Sequence, residues 1–459
     1  MKHLNLLFLL LILNSGTAFT QSINHNQVLN DLIFSKKWFE VENYYQQHKD
    51  SIDDITTRWY LARIRSVFNH PVEALGAYEQ IIDKTPKINL EIVLPPLIQF
   101  CVNFQEYAKG EEFCKKLITL LESNSIIESK DKQQSHIKEL TQTIETFKQL
   151  SKIYPKPTII KNEVKSAEGI KLIPNESNNG IFFNAMWNGV QLKTYFDSGV
   201  GAGAFIWNRK IAEKIGVKLN TSDTIMNNGT LHCLIGMIDS LELGEFRIKN
   251  IPAFVNIESI NHTDSSQVIC DSISHSMFDI MLGIPIIRQL GVIKFDFVNN
   301  LMSFSQISPS VNKCNLYISE SLKVLFLNMK ICNTNLLTLF DTGGTGLGLL
   351  INTDFYEKNK EYISIDEQAK QSPVNIGSCD ESNLIQRYEY SCPQIDVKIN
   401  DQAITMINDC SVSKDKENDF KFGATGGGYL GNTIFKYCKK ATFDFDNMVF
   451  SVEKKENVK

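Results

Sequence analysis

The 459-residue sequence predicts a multidomain chain: an all-α N-terminal segment followed by two all-β lobes that share one pattern. Three observations carry this reading. From Asn24 to Tyr154 glycine is scarce and apolar residues recur three and four apart, which is the helix period. Tyr154-Pro155-Lys156-Pro157 then breaks the pattern, and β-branched, aromatic and Asn/Gly-punctuated runs take over. Beyond the break, one ordered set of landmarks occurs twice, in halves of roughly 145 residues each.

Taken in order, the chain opens on a targeting segment. Lys2 and His3 precede the apolar run Leu4 to Leu13, and Gly16-Thr17-Ala18 places small residues at the −3 and −1 sites of a cleavage point. The run is far shorter than the ~20 residues a membrane span needs. Residues 1–18 therefore read as a signal peptide, with no cysteine after the cleavage point to take a lipid anchor. The mature chain is expected to be exported, periplasmic or secreted, with no transmembrane span.

Residues 24–153 form the helical segment. Arg58-Trp59-Tyr60-Leu61-Ala62 leads into Pro71-Val72-Glu73-Ala74-Leu75-Gly76-Ala77-Tyr78, closed by Pro86. Small residues at 62 and 74, an aromatic at 78 and proline at 86 resemble one tetratricopeptide repeat. An offset of 34 residues places Tyr44 before Tyr78 and Ala108 after Ala74 as weaker copies, although Glu112 stands where the third aromatic belongs and Phe113 one place along. Such a segment offers a docking groove for a protein partner, or serves as a plain helical cap or spacer.

The two lobes are placed at residues 160–307 and 308–455. In the first, Gly180 to Trp187 and Val190 to Phe196 read as two strands joined by an Asn188-Gly189 turn. The second strand ends in Asp197-Ser198-Gly199. Val324 to Met329 and Leu336 to Phe340 do the same for Asp341-Thr342-Gly343. Burying an unpaired carboxylate is costly, so a strand that delivers one to its tip points to function. A lone Asp-Ser/Thr-Gly is ordinary turn chemistry. Here the surroundings repeat as well. Each Asp is followed by an apolar pair (Phe205-Ile206, Leu349-Leu350), an Asn placed to cap a short helix (Asn208, Asn352), and apolar residues running into Leu-Gly (Leu282-Gly283, Leu430-Gly431). Each Leu-Gly is followed by an Asp between two Phe (Asp296, Asp444), then a hairpin turn at Asn299-Asn300 or Asp446-Asn447.

This doubled frame resembles the aspartic peptidases, specifically bacterial retropepsin-like domains present twice in tandem, across about residues 178–306 and 324–453. The resemblance implies two all-β peptidase lobes in a pepsin-like bilobal arrangement. It implies that Asp197 and Asp341 are the catalytic pair, with Ser198, Gly199, Thr342 and Gly343 supporting them. It further implies a substrate-covering flap hairpin at Ile225 to Leu231, with Met226, Asn228 and Gly229 against substrate. The matching stretch Val374 to Cys379 is less regular. The family usually carries Ala shortly after the Gly, whereas Val200-Gly201-Ala202-Gly203 and Gly344-Thr345-Gly346 are richer in glycine.

Two carboxylates within hydrogen-bonding distance share one proton and titrate as a pair. The ionised member takes a proton from water while the protonated one donates to the scissile carbonyl oxygen. The expected activity is an exported aspartic endopeptidase acting on a peptide or protein substrate without a cofactor. The alternative is a catalytically silent relative that binds peptides or cell-surface polymers. Pairing of each half with the same half of another chain is unnecessary, since one chain supplies both carboxylates.

Other chemistries lack support. A net charge of −5 with no strongly basic block argues against a nucleic-acid partner. There is no His-Glu-x-x-His, and His262, Cys270 and His275 match no standard metal spacing. No Gly-x-Ser-x-Gly elbow appears, and the glycines at 343, 344, 346 and 348 lack the lysine of a phosphate-binding loop. Asp296 and Asp444 read as structural carboxylates at strand ends. The ten cysteines fall in even numbers per segment, which permits disulfides in an exported chain but fixes no pairing.

Overall fold

A computed structural model of the chain describes residues 23–84, 89–123, 129–161, 169–174, 180–227, 231–256, 277–305, 313–321, 323–344, 348–375, 384–417, 419 and 427–456. Residues 1–18, read as a signal peptide, the His262, Cys270 and His275 trio, and Asn228 and Gly229, expected in a flap, lie outside the described residues. No described helix is long and apolar enough to cross a membrane.

The N-terminal region is helical: α1 (His25–Phe34), α2 (Trp38–His48), α3 (Asp54–Val67), α4 (Pro71–Asp83), α5 (Leu90–Asn103), α6 (Tyr107–Glu122) and α7 (Lys130–Ile153). The first six make three successive hairpins with one turn in common. Lys36, Asn69 and Gln105 each take a left-handed conformation, with φ of 55°, 62° and 55°. The next N–H bonds back to the carbonyl five residues earlier: Lys37 to Leu32, His70 to Arg65 and Glu106 to Cys101. This backbone closure satisfies the last helical carbonyls with no glycine required.

The turns mark the true spacing. They lie 33 and then 36 residues apart, so a fixed offset of 34 misaligns both flanking hairpins. Ala108 is exposed, and the close approach is made instead by Gly110, from α6 to α7, where an added Cβ would strike the Phe147 ring. In the first hairpin Tyr45, one place past Tyr44, stacks on Tyr60 at 3.8 Å between centroids. Phe113 is buried and Glu112 points out to Lys109.

The rest of the chain is β-rich. The first half carries β1 (Thr158–Lys161), β2 (Ile170–Ile173), β3 (Phe182–Trp187), β4 (Val190–Asp197), β5 (Ala204–Ile206), α8 (Arg209–Lys214), β6 (Lys218–Asn227), β7 (Leu231–Leu243), β8 (Phe246–Asn256), β9 (Ile280–Gly283), α9 (Ile284–Ile287), β10 (Val292–Asp296) and β11 (Leu301–Ser305). The second carries β12 (Leu316–Ile318), β13 (Leu325–Ile331), β14 (Thr334–Phe340), β15 (Leu349–Ile351), α10 (Thr353–Asn359), β16 (Ala369–Asn375), β17 (Leu384–Ile399), β18 (Gln402–Ser413), β19 (Gly428–Leu430), β20 (Cys438–Asp444) and β21 (Val449–Lys454).

The two halves share a strand order. It runs β3-β4-β9-β5-β8-β7-β6 in one and β13-β14-β19-β15-β18-β17-β16 in the other. Each sheet curls toward a barrel, and β3–β7 and β13–β17 make matching extra pairings. The sequence landmarks fall at matching places. Asn188 and Gly189 both have positive φ, the geometry of the tight β3–β4 turn. The Asn208 side chain caps α8 by accepting the Lys210 N–H. At α10 the cap differs: Asn352 holds the cap position, but the Thr353 N–H is taken by Asp419 Oδ1 at 2.7 Å.

The halves are joined by a shared sheet. Strands β20 and β21 cross over to pair β20 with β10, with Val292 opposite Asp444 and Asp296 opposite Lys440. Residues i and i+148 occupy equivalent places here, so the antiparallel register is its own image about Lys294 and Thr442. A local twofold axis passes through that pair. Phe196, Phe295, Phe340 and Phe443 pack together beneath it, with Phe196–Phe295 at 5.1 Å and Phe340–Phe443 at 5.7 Å between centroids. Asp296 accepts hydrogen bonds from Val298 and Asn299, and Asp444 from Asp446 and Asn447. Both close the turns into β11 and β21, as expected of structural carboxylates.

The helical region docks on both halves. The Asn69 side-chain amide donates to the carbonyls of Arg288 and Phe445, and Arg288 Nη2 donates to the Asn103 carbonyl. The Arg288 guanidinium lies 4.2 Å from the Phe104 ring centroid. Arg63 pairs with Glu320 at 2.5 Å while lying over the Trp38 and Trp59 rings, and Asn103 Nδ2 holds the Glu320 carbonyl at 2.8 Å. Cys101, Cys114, Cys314, Cys332, Cys392, Cys410 and Cys438 are free thiols, and Cys392 and Cys410 face each other across β17 and β18.

Candidate functional site

The fold brings the two Asp-Ser/Thr-Gly segments together at the axis. In each half the Asp-bearing strand runs parallel to the Leu-Gly strand: Phe196 pairs with Leu282, and Phe340 with Leu430. The chain leaving each Asp then passes behind that strand. Gly283 N–H bonds to the Gly203 carbonyl at 3.1 Å, and Gly431 N–H to the Gly348 carbonyl at 3.0 Å. A side chain at Gly283 would collide with the carbonyls of Val200 and Ala202, so the landmark glycine is a space requirement.

Ser198 and Thr342, both fully buried, lock the halves to each other. The Ser198 N–H donates to Thr342 Oγ1 and the Thr342 N–H donates to Ser198 Oγ, each at 2.9 Å. Each hydroxyl then donates across the axis, Ser198 Oγ to the Phe340 carbonyl at 3.0 Å and Thr342 Oγ1 to the Phe196 carbonyl at 3.2 Å. Four reciprocal bonds between two short loops satisfy the hydroxyl and the N–H of both residues. Thr342→Val keeps the volume but removes one donor and one acceptor, leaving the Ser198 N–H unpaired. The variant should lose about 2–3 kcal/mol in urea unfolding. A change below about 0.5 kcal/mol would mean that the lobes do not depend on this lock.

The lock places the carboxylates face to face. Gly199 N–H donates to Asp197 Oδ1 at 2.7 Å, and Gly343 N–H to Asp341 Oδ1 at 2.8 Å. The two carboxyls are within hydrogen-bonding reach of each other. A Cβ at Gly199 would lie 2.6 Å from Asp341 Oδ1, and one at Gly343 would fall on the Asp197 carboxylate. Both glycines are therefore needed for this approach. Asp197 is 7% exposed and Asp341 is half-buried.

Burial, with the Asp341 charge beside it, pushes the Asp197 carboxyl well above the ordinary range. Burial also raises Asp341, against hydrogen bonds from Gly343 and Tyr429 that pull it down. The raised Asp197 has a consequence for stability. Below its unfolded value, about 3.9, it is neutral in both states. As pH climbs toward the raised folded value, the native state holds a proton that the unfolded chain has released, so stability falls. Wild-type melting temperature should decline from about pH 4 toward neutrality, and Asp197→Asn should flatten the decline and be the more stable protein at pH 7. Parallel profiles for the two proteins would overturn this assignment.

Three further side chains meet here that the motifs did not single out for a role. Tyr429 OH donates to Asp341 Oδ2 at 3.0 Å. Tyr195 OH donates to the Thr342 carbonyl at 3.2 Å, and Asn432 Nδ2 donates to Tyr195 OH at 3.4 Å. The available signal was a mismatch between the copies: Tyr429 stands where the first half has Met281, and Tyr195 where the second has Leu339.

The residues expected to form a flap are placed less fully. Met226 lies in β6, its backbone paired with His232 one step from the hairpin tip, while Asn228 and Gly229 lie outside the described residues. The second half has a counterpart hairpin, β16–β17, with Asn375 opposite Leu384. Its polar sequence and want of an Asn-Gly turn hid the pairing from a reading of periodicity. Compared with protein-family models and with curated proteins, the chain matches none.

Proposed function

We propose that the chain is a bilobal aspartic-type endopeptidase with a tetratricopeptide-like helical region, exported and acting on peptide or protein substrates. The observation that carries the proposal is the pair Asp197 and Asp341, brought into contact from two equivalent strand ends and held by the reciprocal Ser198–Thr342 bonds. Two carboxyls so close and so desolvated cannot both ionise at moderate pH, so one proton is shared. A single-proton dyad is what a water-activating site needs. The ionised carboxylate removes a proton from water as its oxygen attacks the carbonyl carbon. The protonated carboxyl gives its proton to the carbonyl oxygen, and the proton taken from water later reaches the leaving amine. No covalent intermediate forms, and no cofactor or metal enters. The paired hairpins β6–β7 and β16–β17 are assigned as flanks of the substrate cleft, with Met226 on the strand that leads to the covering tip.

The test is digestion of a diverse peptide library by the full-length chain from pH 3 to 8, beside Asp197→Asn. Cleavage that disappears in the variant supports the reading. Folded wild-type protein that binds library peptides but leaves every one intact would replace it with the binding alternative.

A further inference from the structure

The two halves agree so closely that a departure at the dyad stands out. Asp197 and Asp341 are matched by Gly199 and Gly343, with N–H bonds of 2.7 and 2.8 Å. The following loops take the same path: the Val200 carbonyl accepts the Ile284 N–H, and the Gly344 carbonyl accepts the Asn432 N–H. Within this frame one pair of positions is swapped in size. The first half has Val200 and Met281, which pack on the same apolar cluster with Phe205. The second half has Gly344 and Tyr429 at those places, and a Cβ on Gly344 would fall on the Tyr429 hydroxyl. The glycine thus makes room for a phenol, and the phenol spends its proton on Asp341 Oδ2 at 3.0 Å. Met281, at the equivalent place beside Asp197, has no O–H to give.

We propose that Tyr429, admitted by Gly344, is a positioning residue that settles the negative charge of the dyad on Asp341, making Asp341 the general base and Asp197 the general acid. Hydrogen bonds to a carboxylate favour its charged form, and among the described residues Tyr429 is the one side chain outside the dyad that gives Asp341 such a bond with no twin at Asp197, beside a backbone bond from Gly344. Among the described residues, the titratable groups facing Asp341 are Asp197 and Tyr195 on β4 and Tyr429 on β19. Burial raises both phenols well above their ordinary value, so they remain neutral donors. The inference rests on the peptidase reading for its chemistry but not for its geometry.

Tyr429→Phe keeps the ring and removes the donor. The acid limb of the kcat profile reports ionisation of the base, so it should move to higher pH by about one unit, a tenfold change in that ionisation constant. The kcat should fall about 10- to 100-fold, with KM changed less than about twofold because substrate binding does not use the bond. A second variant, Gly344→Val with Tyr429→Met, rebuilds the first-half pair in the second half and should shift the limb in the same direction. It serves if the phenylalanine variant folds poorly. Carboxyl-carbon NMR titration of the two aspartates reads the same quantity without turnover. Wild type should show two well-separated macroscopic steps, and both variants should bring them closer together.

An unmoved acid limb and unchanged titration in both variants would overturn the role of Tyr429 while leaving the dyad intact. Failure of the peptidase reading looks different: no cleavage by wild type, or cleavage that survives Asp341→Asn. In that case the NMR titration alone decides where the proton resides.

Discussion

Replacing Asp341 by Asn is expected to cut peptide cleavage by roughly 10³-fold or more, with the fold unchanged. The amide keeps the volume, and its one oxygen can still accept the Gly343 N–H at the Oδ1 place, while its NH2, at the Oδ2 place, can donate to the Tyr429 hydroxyl oxygen once that hydroxyl rotates. What it loses is the ability to take a proton from water at moderate pH. Asp197→Asn should be equally inactive for the opposite reason, since an amide cannot deliver a proton to the carbonyl oxygen. The two losses should not add in the double variant, because residues that act as one unit are non-additive. The measurement is kcat/KM on the best library peptide, with circular dichroism and melting as controls for folding. Retention of more than about a tenth of wild-type activity in either single variant would exclude the shared-proton mechanism.

Arg63→Ala should destabilise the chain by about 3 kcal/mol, seen as loosening of the helical region from the lobes. Arg63 is 8% exposed and makes the salt bridge to Glu320, whose side chain is also nearly enclosed. Burial raises the Glu320 carboxyl despite the Arg63 charge beside it. Removing the guanidinium strands Glu320, which can recover part of the cost by taking up a proton. The loss should therefore be larger at pH 8 than at pH 5. Arg63→Met with Glu320→Met replaces the pair by apolar side chains and should be near neutral. Urea unfolding with a probe in each region, alongside limited proteolysis at the Tyr154–Pro157 junction, would read both effects. An Arg63→Ala variant with wild-type stability and protease resistance would mean that the helical region is held by its other contacts alone.

These contacts also bear on what the helical region does. They fall on Arg288, Glu320 and Phe445, none of which belongs to the dyad loops. One region grips residues from both halves, so it acts as a brace across the twofold arrangement. Whatever it recruits, it is expected to stabilise the lobes against each other.

The sequence by itself determined the order of the helical and β-rich parts and which two carboxylates to pair as a candidate site. The doubled Asp-Ser/Thr-Gly segments, the Leu-Gly strands and the capped turns at Asp296 and Asp444 are local features. Each rests on a strand period, a turn residue or a need for glycine, and such needs are written in a few neighbouring residues. The repeated order of those features is enough to pair Asp197 with Asp341.

Only the tertiary structure decided the rest. The helical spacing of 33 and then 36 residues is set by backbone closure at Lys36, Asn69 and Gln105, which side-chain signatures do not report. Asp419, far along the chain, accepts the first N–H of the helix that Asn352 was expected to cap. The difference between the two aspartates likewise depends on a phenol 88 residues after Asp341 reaching a carboxylate through space left by Gly344. Contacts between residues so distant in sequence carry no local period or turn chemistry. They exist only once the strands have paired and the halves have closed about their axis.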